Sequence, residues 1–390
     1  MYSIGEMNVV GLFAGIGGIE LGLESAGHHT TMICEIDASA RAVLGTHFPK
    51  VKLHDDIRTL ERLPKNTELV AAGFPCQDIS QAGTTKGITG KNSGLVNEVF
   101  RLLEKSDVPN VLLENVSFIL ALGRGHAMRH VTAELERLGY RWAYRVIDSQ
   151  AFGLPQRRQR LFLIASRVFE PFELIMNGNE ESAEPSDWRG KPCGFYWTEG
   201  VRGLGWAVDG VPTLKGGSTV GIASPPAIWM PDGRIVTPDI RDAERLQGFD
   251  AGWTVPALAV SRSGFRWKLV GNAVSVPVAQ WVGQRLKKGA QAVDLRVHTF
   301  DPEMKWPTAA FGGPRQRALA VDVTMWPTVQ PRRPLAEFLR GELKPLSYKA
   351  TAGFVKRLQS GNLRFPEEFL AALRAHAERM RTELPLFAVA

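Results

Sequence analysis

The sequence predicts an α/β protein built on a doubly wound, mostly parallel sheet. Short apolar strands alternate with amphipathic helices over residues 8–140, starting with a strand, a glycine turn and a helix that ends at Gly27. Such units give parallel strands with helices on both faces. Two further strands, 142–149 and 160–167, follow each other without a helix, which predicts an antiparallel pair at the sheet edge.

Each element is assigned from its hydrophobic period and its end signals. The predicted strands are 8–14, 30–36, 68–74, 110–116, 142–149 and 160–167. The predicted helices are 19–26, 39–48, 97–106, 128–140, 239–249, 276–293 and 366–380.

The domain organisation is predicted from a change in local composition along the chain. From about Phe169 the chain breaks into short runs rich in Gly, Pro and Trp, and helical pattern resumes near residue 239. We therefore predict an α/β domain in two parts (1–168 and 239–293), an inserted, loop-rich β domain (169–238) and a mostly helical extension (294–390). The extension is either a packed appendage or an auxiliary contact to nucleic acid.

Composition narrows the class of protein. The chain has 390 residues, 44% of them hydrophobic and 22% charged, which is ordinary for a globular protein. Three widely spaced cysteines without metal-ligand spacing indicate a reducing compartment, and no apolar run is long enough to span a membrane. A net charge of +7 favours a polyanionic partner.

A glycine loop between the first strand and the first helix is the first candidate site. It runs from Phe13 to Gly18, where a ligand could approach the backbone and the helix start. Alone it could be a purely structural turn. The next strand ends in Glu35, a suitable acceptor for ribose hydroxyls, and Asp55 and Asp56 follow in a comparable place. Together these residues favour an adenosine cofactor.

Reactive side chains are predicted at the same edge of the sheet. Cys76 follows a strand, and Glu114 ends the next one. Arg158 and Arg160 alternate before the last strand and could point together into one pocket. The alternatives are a buried structural cysteine and a solvated basic edge.

Six short blocks, in order along the chain, carry a resemblance to a known family. They are FAGIGG (13–18), GFPCQ (73–77), LLENV (112–116), QRRQR (156–160), RDAERLQGF (241–249) and GNAVSVPV (271–278). In this order they resemble the DNA cytosine-5 methyltransferases of bacterial modification systems, over roughly residues 8–290. The resemblance implies a catalytic domain that binds S-adenosylmethionine, with a target recognition domain inserted between the fourth and fifth blocks.

The resemblance also implies which residues contact the cofactor. Glu35 takes the ribose hydroxyls, Asp56 with Ile57 takes the adenine, and Asn272 lies at the back of the site. The full set is Phe13, Ala14, Gly15, Ile16, Gly17, Gly18, Glu35, Ile36, Asp56, Ile57, Gly73, Pro75, Asn272, Ala273 and Val274. No metal is expected.

By the same resemblance, Cys76 is the nucleophile that adds to C6 of a flipped-out cytosine, so that C5 can take a methyl group. Glu114 stabilises N3, Arg160 lies by the base and its O2, and Arg158 supports the closing loop. A free thiol is largely protonated at neutral pH, so positive charge near Cys76 is needed. No residue is assigned as the base for the C5 proton, which leaves water.

Double-stranded DNA is the implied substrate, read from the major groove by the inserted domain. The candidate DNA contacts are Gln77, Ser80, Lys91, Arg189, Lys191, Arg202, Lys215 and Arg234. Those in the inserted domain are phosphate contacts or plain surface. The family commonly has an arginine before the serine near the end of the loop after the nucleophile, whereas here Asn92 precedes Ser93 and Lys91 is the substitute.

Three rival functions remain at this stage: a transfer-RNA cytosine-5 methyltransferase, a catalytically silent DNA-binding relative, and a nucleotide-dependent oxidoreductase. The favoured interpretation is a monomer in the bacterial cytoplasm, associated with the nucleoid through DNA. It acts alone or beside a cognate restriction endonuclease on the same site, without a stable complex.

Overall fold

The computed structural model describes residues 5–75, 94–217, 222–289 and 293–382. Its strands are β1 (Asn8–Leu12), β2 (His29–Cys34), β3 (Lys52–His54), β4 (Leu69–Gly73), β5 (Asn110–Val116), β6 (Arg141–Asp148), β7 (Gln156–Arg157), β8 (Gln159–Ser166), β9 (Cys193–Phe195), β10 (Ala207–Val208), β11 (Val211–Pro212), β12 (Ala227–Trp229), β13 (Ile235–Thr237), β14 (Val297–Thr299), β15 (Ala309–Gly313), β16 (Gln316–Val321) and β17 (Lys344–Pro345). Its α-helices are α1 (Gly18–Ser25), α2 (Ala38–His47), α3 (Val96–Glu104), α4 (His126–Arg137), α5 (Pro171–Ile175), α6 (Ile240–Leu246), α7 (Phe265–Asn272), α8 (Val276–Lys288), α9 (Tyr348–Ser360) and α10 (Glu367–Thr382).

One half of the large sheet is parallel and doubly wound, which confirms the predicted fold class. Its order is β3-β2-β1-β4-β5, and each neighbouring pair is parallel. Leu23 of α1 and Val282 of α8 belong to the core on one face, and Val99 of α3 and Val131 of α4 to the core on the other. Gly22 lets α1 approach α8 closely, because a β-carbon there would lie 2.5 Å from the β-carbon of Ala279.

The other half of the large sheet is antiparallel. β8 lies between β5 and β6 and pairs antiparallel with both, so the predicted antiparallel pair is confirmed. Its predicted place at the sheet edge is wrong, because β15 pairs with β6, and β16 and β14 follow. The backbone groups of β6 thereby gain partners that an edge strand would leave to water. The Tyr144 hydroxyl adds a hydrogen bond to the Pro307 carbonyl at 2.9 Å.

A small sheet of order β10-β9-β12-β13-β17 lies in the inserted segment and is completed by the carboxyl-terminal part. Side chains alternate between its two faces. Ile228 and Val236 belong to the core that contains α6, whereas Trp229 and Ile235 belong to the core that contains α9 and α10. The small sheet is therefore covered on both faces.

The carboxyl-terminal part differs from the mostly helical extension expected. Residues 293–345 form β14 to β17, connecting loops and one turn of 3-10 helix (Leu335–Glu337), and the first α-helix of this part begins at Tyr348. The run QRALAV consists mainly of good helix formers, and AAFGG has no clear strand period. Tertiary pairing overrides these local preferences, because AAFGG pairs with the open edge of β6 and QRALAV pairs with AAFGG in turn. The predicted helix at 366–380 is present as α10.

The segment 322–343, which we call the strap, joins the two sheets. Its backbone amides donate to fixed acceptors on the way: Gln330 to the Ala151 carbonyl at 2.9 Å, Leu335 to the Asp209 carboxylate at 2.9 Å, and Gly341 to the Asp242 carboxylate at 2.8 Å. The strap is thus hydrogen-bonded along its length to the parts of the chain that it crosses.

Candidate active site

The carboxyl ends of β1, β2, β4 and β5 meet at one edge of the parallel half, where α/β folds bind ligands. After β1, Phe13, Gly15 and Gly17 have φ angles of 56°, 57° and 85°, which turn the chain sharply into α1. This conformation is costly for Phe13, and such strain concentrates at functional sites. A β-carbon at Gly15 would meet nothing within 4 Å. The loop therefore leaves open space over its backbone for a ligand.

The glycine loop is held by residues from distant parts of the chain. The Trp253 indole donates to the Ile16 carbonyl at 2.9 Å and stacks on His47 with ring centroids 3.5 Å apart. A β-carbon at Gly18 would lie 2.5 Å from the Val274 carbonyl oxygen. The segment after the insertion thus forms part of this site. No local pattern predicts these contacts of Trp253, because its partners are more than 200 residues away along the chain.

Glu35, directly after β2, links the loops of the first two strands. Its carboxylate accepts from the backbone amide of Gly15 at 2.8 Å and from that of Asp37 at 2.7 Å. Burial raises the pKa of Glu35, and these two hydrogen bonds act against that rise. The neighbouring Ile36 is 61% exposed and presents apolar surface beside the Glu35 carboxylate.

Asp56 follows β3 and already has a partner. Its carboxylate accepts from the Arg58 guanidinium at 2.6 Å and from the Arg58 backbone amide at 3.0 Å, and Arg58 lowers the pKa of Asp56. Ile57 is buried beside it. An amino group of a ligand would therefore bind Asp56 alongside the exposed Arg58, which was not among the predicted site residues.

The strand that leads to the predicted nucleophile ends beside Glu114. Gly73 is in register with Glu114, and a β-carbon on Gly73 would lie 3.3 Å from Oε2 of that carboxyl. Pro75 is exposed. Cys76 and three of the candidate DNA contacts lie outside the described residues: Gln77, Ser80 and Lys91.

Glu114 and Arg160 form an ion pair at the end of β5. Nε of Arg160 lies 3.3 Å from Oε1 of Glu114, and their side chains are only 14% and 10% exposed. Burial raises the pKa of Glu114, while the positive charges of Arg160 and Arg158 act to lower it. The pair places a protonatable acid and a fixed cation side by side in a site shielded from water.

Arg158 lies close by, but it does not point into a pocket shared with Arg160, contrary to the prediction. Its guanidinium is fully buried and donates to backbone carbonyls of Ala273 at 2.6 Å, Gly271 at 3.1 Å and Leu214 at 3.3 Å. The residue falls between β7 and β8, where strict alternation is interrupted. Arg158 therefore joins the inserted domain to the end of α7.

The end of α7 contributes the last predicted cofactor residues. Asn272 is exposed, Ala273 and Val274 are buried, and Val274 faces the glycine loop as described above. One turn earlier, Lys268 donates to the Asp37 carboxylate at 3.0 Å. This ion pair, which sequence analysis missed, connects α7 to the loop that carries Glu35.

The candidate DNA contacts of the inserted domain are mostly ion-paired. Arg189 pairs with Asp187 at 3.2 Å and Arg234 with Asp232 at 2.7 Å, both at the surface. Lys215 pairs with Glu199 and lies 3.7 Å from the centroid of the Tyr196 ring. Arg202 is exposed and Lys191 half-buried. Within the four described ranges, no helix could cross a membrane and no side-chain group could hold a metal ion.

Comparison with known proteins gives consistent matches. The family model for C-5 cytosine-specific DNA methylases matches residues 7–192. The chain is 46% identical to the type II methyltransferase M2.BsuMI of Bacillus subtilis (strain 168), over 96% of this chain and 99% of that one. It is 29% identical to the type II methyltransferase M.BsuFI of Bacillus subtilis over 75% of each chain. The solved structure of the S. pombe Dnmt2 methyltransferase has a TM-score of 0.52 at 17% identity, covering 72% of this chain and 98% of that one, a likeness of fold.

The doubly wound sheet with its glycine loop is the fold shared with the solved structure, and the family match defines a methyltransferase that uses S-adenosylmethionine as methyl donor. The chain belongs to the C-5 cytosine-specific DNA methylase family, as its similarity to M2.BsuMI over nearly its full length shows. The residues present fit the methyl donor: a glycine backbone open to a ligand, a buried carboxylate in Glu35 and an exposed apolar side chain in Ile36.

Proposed function

We propose that the protein methylates C5 of cytosine in one short sequence of double-stranded DNA through a covalent adduct with Cys76. The observation that carries the proposal is the buried Glu114 carboxyl beside Arg160, in register with Gly73 of β4. Because Cys76 follows Gly73 by three residues, thiol, acid and cation belong to neighbouring strand ends.

The roles of these groups follow from the chemistry of cytosine. The Cys76 thiolate adds to C6, Glu114 protonates N3, and the ring becomes an enamine whose C5 is nucleophilic. S-adenosylmethionine supplies the methyl group that C5 takes. Water then accepts the C5 proton, the Cys76 thiolate leaves C6 as the double bond re-forms, and Glu114 regains its proton from N3.

The electrostatics of the site suit these roles. A carboxyl whose pKa is raised by burial stays protonated closer to neutral pH and can donate a hydrogen bond, as Glu114 must. Arg160 offers donors to O2 of the base, and its positive charge favours the thiolate form of a nearby cysteine. Arg158 holds the backbone around these groups through its three carbonyl contacts.

Each group of cofactor residues would contact a different part of the methyl donor. Glu35 accepts from the ribose hydroxyls, and Phe13 with Ile36 provides apolar surface for the adenine. Asp56 and Ile57 lie at the adenine edge, and Gly73, Pro75 and the 272–274 segment complete the wall. The remaining loop residues, Ala14 to Gly18, present their backbone.

The target base must leave the duplex for C6 to reach a thiol, at a cost of a few kcal/mol that pocket contacts offset. The net charge of +7 favours tracking along phosphates. Candidate contacts to flanking DNA are Gln77, Ser80, Lys91, Arg189, Lys191, Arg202, Lys215 and Arg234.

The biological setting is proposed from the relatives, which are bacterial type II methyltransferases. We propose a monomer in the bacterial cytoplasm that reaches nucleoid DNA directly. It would protect the sites of a restriction endonuclease without forming a stable complex with it.

Bisulfite sequencing of plasmid DNA from a methylation-free host that expresses the chain tests the function. We expect protected cytosines in a single sequence context, and none with Cys76→Ser. If the folded protein protects no cytosine, the DNA function is wrong, and the same assay on transfer RNA from that host tests the alternative substrate.

A further inference from the structure

A carboxyl without a partner is buried under the glycine loop. Glu20, in the first turn of α1, is 0% exposed, and apart from the weak effect of its own backbone amide no group in the described part of the chain donates a hydrogen bond to its carboxyl oxygens. Buried polar groups are nearly always paired, because an unpaired one loses its hydration without compensation. The proposed catalytic chemistry does not use Glu20.

The chain makes room for this carboxyl. Glu20 lies against Gly11 of β1, and a β-carbon on Gly11 would overlap Oε1 of Glu20. Gly11 has an ordinary strand conformation and is in register with Ile33 and Ala71. A glycine is therefore needed at position 11 because the Glu20 carboxyl occupies the space of a side chain, and not because of the backbone conformation.

Glu20 lies between the two ends of the proposed site. The preceding residue, Ile19, approaches Gly73, where a β-carbon would be 3.8 Å from Cδ1 of Ile19 and 3.3 Å from Oε2 of Glu114. On the other side, Glu35 is near enough for its charge to help raise the pKa of Glu20, which burial takes to about 8. A methyl donor bound with its ribose at Glu35 and its methyl group toward Glu114 would place its amino-acid end beside this turn.

We propose that Glu20 accepts the α-ammonium group of S-adenosylmethionine, directly or through one bound water. This assignment rests on the cofactor site proposed above. An ammonium group has three donors and no acceptor, whereas a carboxylate only accepts, so each satisfies the other. The nearby Glu35 carboxylate adds to the negative potential that attracts the cation.

Calorimetric binding of three compounds to the full chain tests the assignment. S-adenosylmethionine and S-adenosylhomocysteine both carry the α-ammonium, whereas 5′-methylthioadenosine lacks the whole amino-acid end. In Glu20→Gln we expect the affinity for the first two to fall by the same factor, about ten- to a hundredfold as for a lost charge-assisted hydrogen bond, and the affinity for the third to stay unchanged. Glu24→Gln, an identical change on the exposed side of the same helix, is the matched control.

A rescue experiment separates charge from packing. Gly11→Asp alone should fail to bind because its side chain collides with Glu20, but Gly11→Asp combined with Glu20→Ala returns a carboxylate to the same place. We expect the double variant to recover much of the affinity that Glu20→Ala loses.

Two results would overturn the assignment. One is unchanged affinity of Glu20→Gln for S-adenosylmethionine. The other is an equal loss for 5′-methylthioadenosine, which would mean a general packing role. If the unaltered chain binds none of the three compounds, the proposed cofactor site itself is wrong, and that outcome is distinct from the other two.

Discussion

Glu114 and Arg160 show how one residue sets the protonation of another. Burial raises the pKa of Glu114 and Arg160 opposes that rise, so the acid is poised by two competing effects. In the proposed reaction the protonated acid is the active form, and activity is lost as pH rises through its pKa.

Arg160→Gln removes the opposing charge. We expect slower methyl transfer and an alkaline limb of the pH–rate profile that moves to higher pH, because the pKa of Glu114 rises further. Single-turnover rates across the pH range measure the position of the limb. The control is Arg167→Gln, because the Arg167 guanidinium lies over the Tyr140 ring and not beside Glu114. A limb that stays in place or moves to lower pH would contradict the role of Glu114 as the acid.

Glu20 should also affect how the free energy of unfolding depends on pH. Its pKa is about 8 in the folded chain and near 4.5 when unfolded, so its contribution is fully present below about pH 4.5 and is lost as pH rises to about 8. The free energy of unfolding of the free protein should fall in that window by about 1.4 kcal/mol for each pH unit from this group. The charged groups that act on Glu20 are Glu35 and Glu24.

Glu20→Gln should remove this slope and leave the free protein more stable than its parent at alkaline pH. Urea unfolding of both proteins without cofactor, compared at each pH, isolates the contribution of Glu20 from other titrating groups. Parallel curves for the two proteins would mean that Glu20 is ionised in the fold.

The residues of the site divide into those that local sequence reveals and those that it does not. Glu35 and Glu114 were predicted because each ends a recognisable strand. Trp253 and Lys268 could not be predicted because their contacts join segments far apart in sequence. Arg58 could not be predicted because its pairing with Asp56 depends on the conformation of one exposed side chain.

At the scale of elements, α9 and α10 complete the core of the small sheet. Phe369 of α10 is fully buried, with its ring 4.9 Å from that of Phe195 and 5.5 Å from that of Trp229. Phe354 of α9 stacks on Phe195 at 5.0 Å. The two helices are therefore a structural part of the domain that carries the candidate DNA contacts.

Phe369→Ala should destabilise the small sheet by about 3–5 kcal/mol through the cavity that it leaves. We expect faster amide hydrogen exchange in residues 193–237 and weaker sequence-specific DNA binding, with cofactor affinity retained. Lys356→Ala, at an exposed position of α9, should change none of these. Loss of cofactor binding together with exchange throughout β1 to β5 would show that the two sheets unfold as one unit.

At the scale of the whole molecule, the order of elements could be predicted but their assembly only in part. The strand–helix alternation predicted the parallel half, because each unit is local and its period is visible. The additions of β15 to β6 and of β17 to β13 could not be predicted. They join segments more than 100 residues apart, and a two- or five-residue strand has no period of its own.

Net charge also acts on the whole molecule. The exposed pairs Arg189–Asp187 and Arg234–Asp232 cancel part of the positive surface, so a phosphate must compete with a carboxylate for each arginine. The double change Asp187→Asn and Asp232→Asn should strengthen non-specific DNA binding. It should also steepen the dependence of log Kobs on log salt by about one for each arginine that reaches a phosphate.

Fluorescence anisotropy at several salt concentrations measures that slope, and Glu367→Gln, an exposed acid on α10, is the control. An unchanged slope would place both arginines away from the DNA.

The proposed recognition module is discontinuous in sequence, and the strap leads the chain back to it. β9 to β13 and the 344–382 segment share one core although the return to α6, α7 and α8 separates them along the chain. A chimera that exchanges residues 169–238 alone would set a foreign sheet against resident helices. On the recognition role proposed for the small sheet, grafting a new DNA specificity onto this chain requires both stretches to be taken from the same donor.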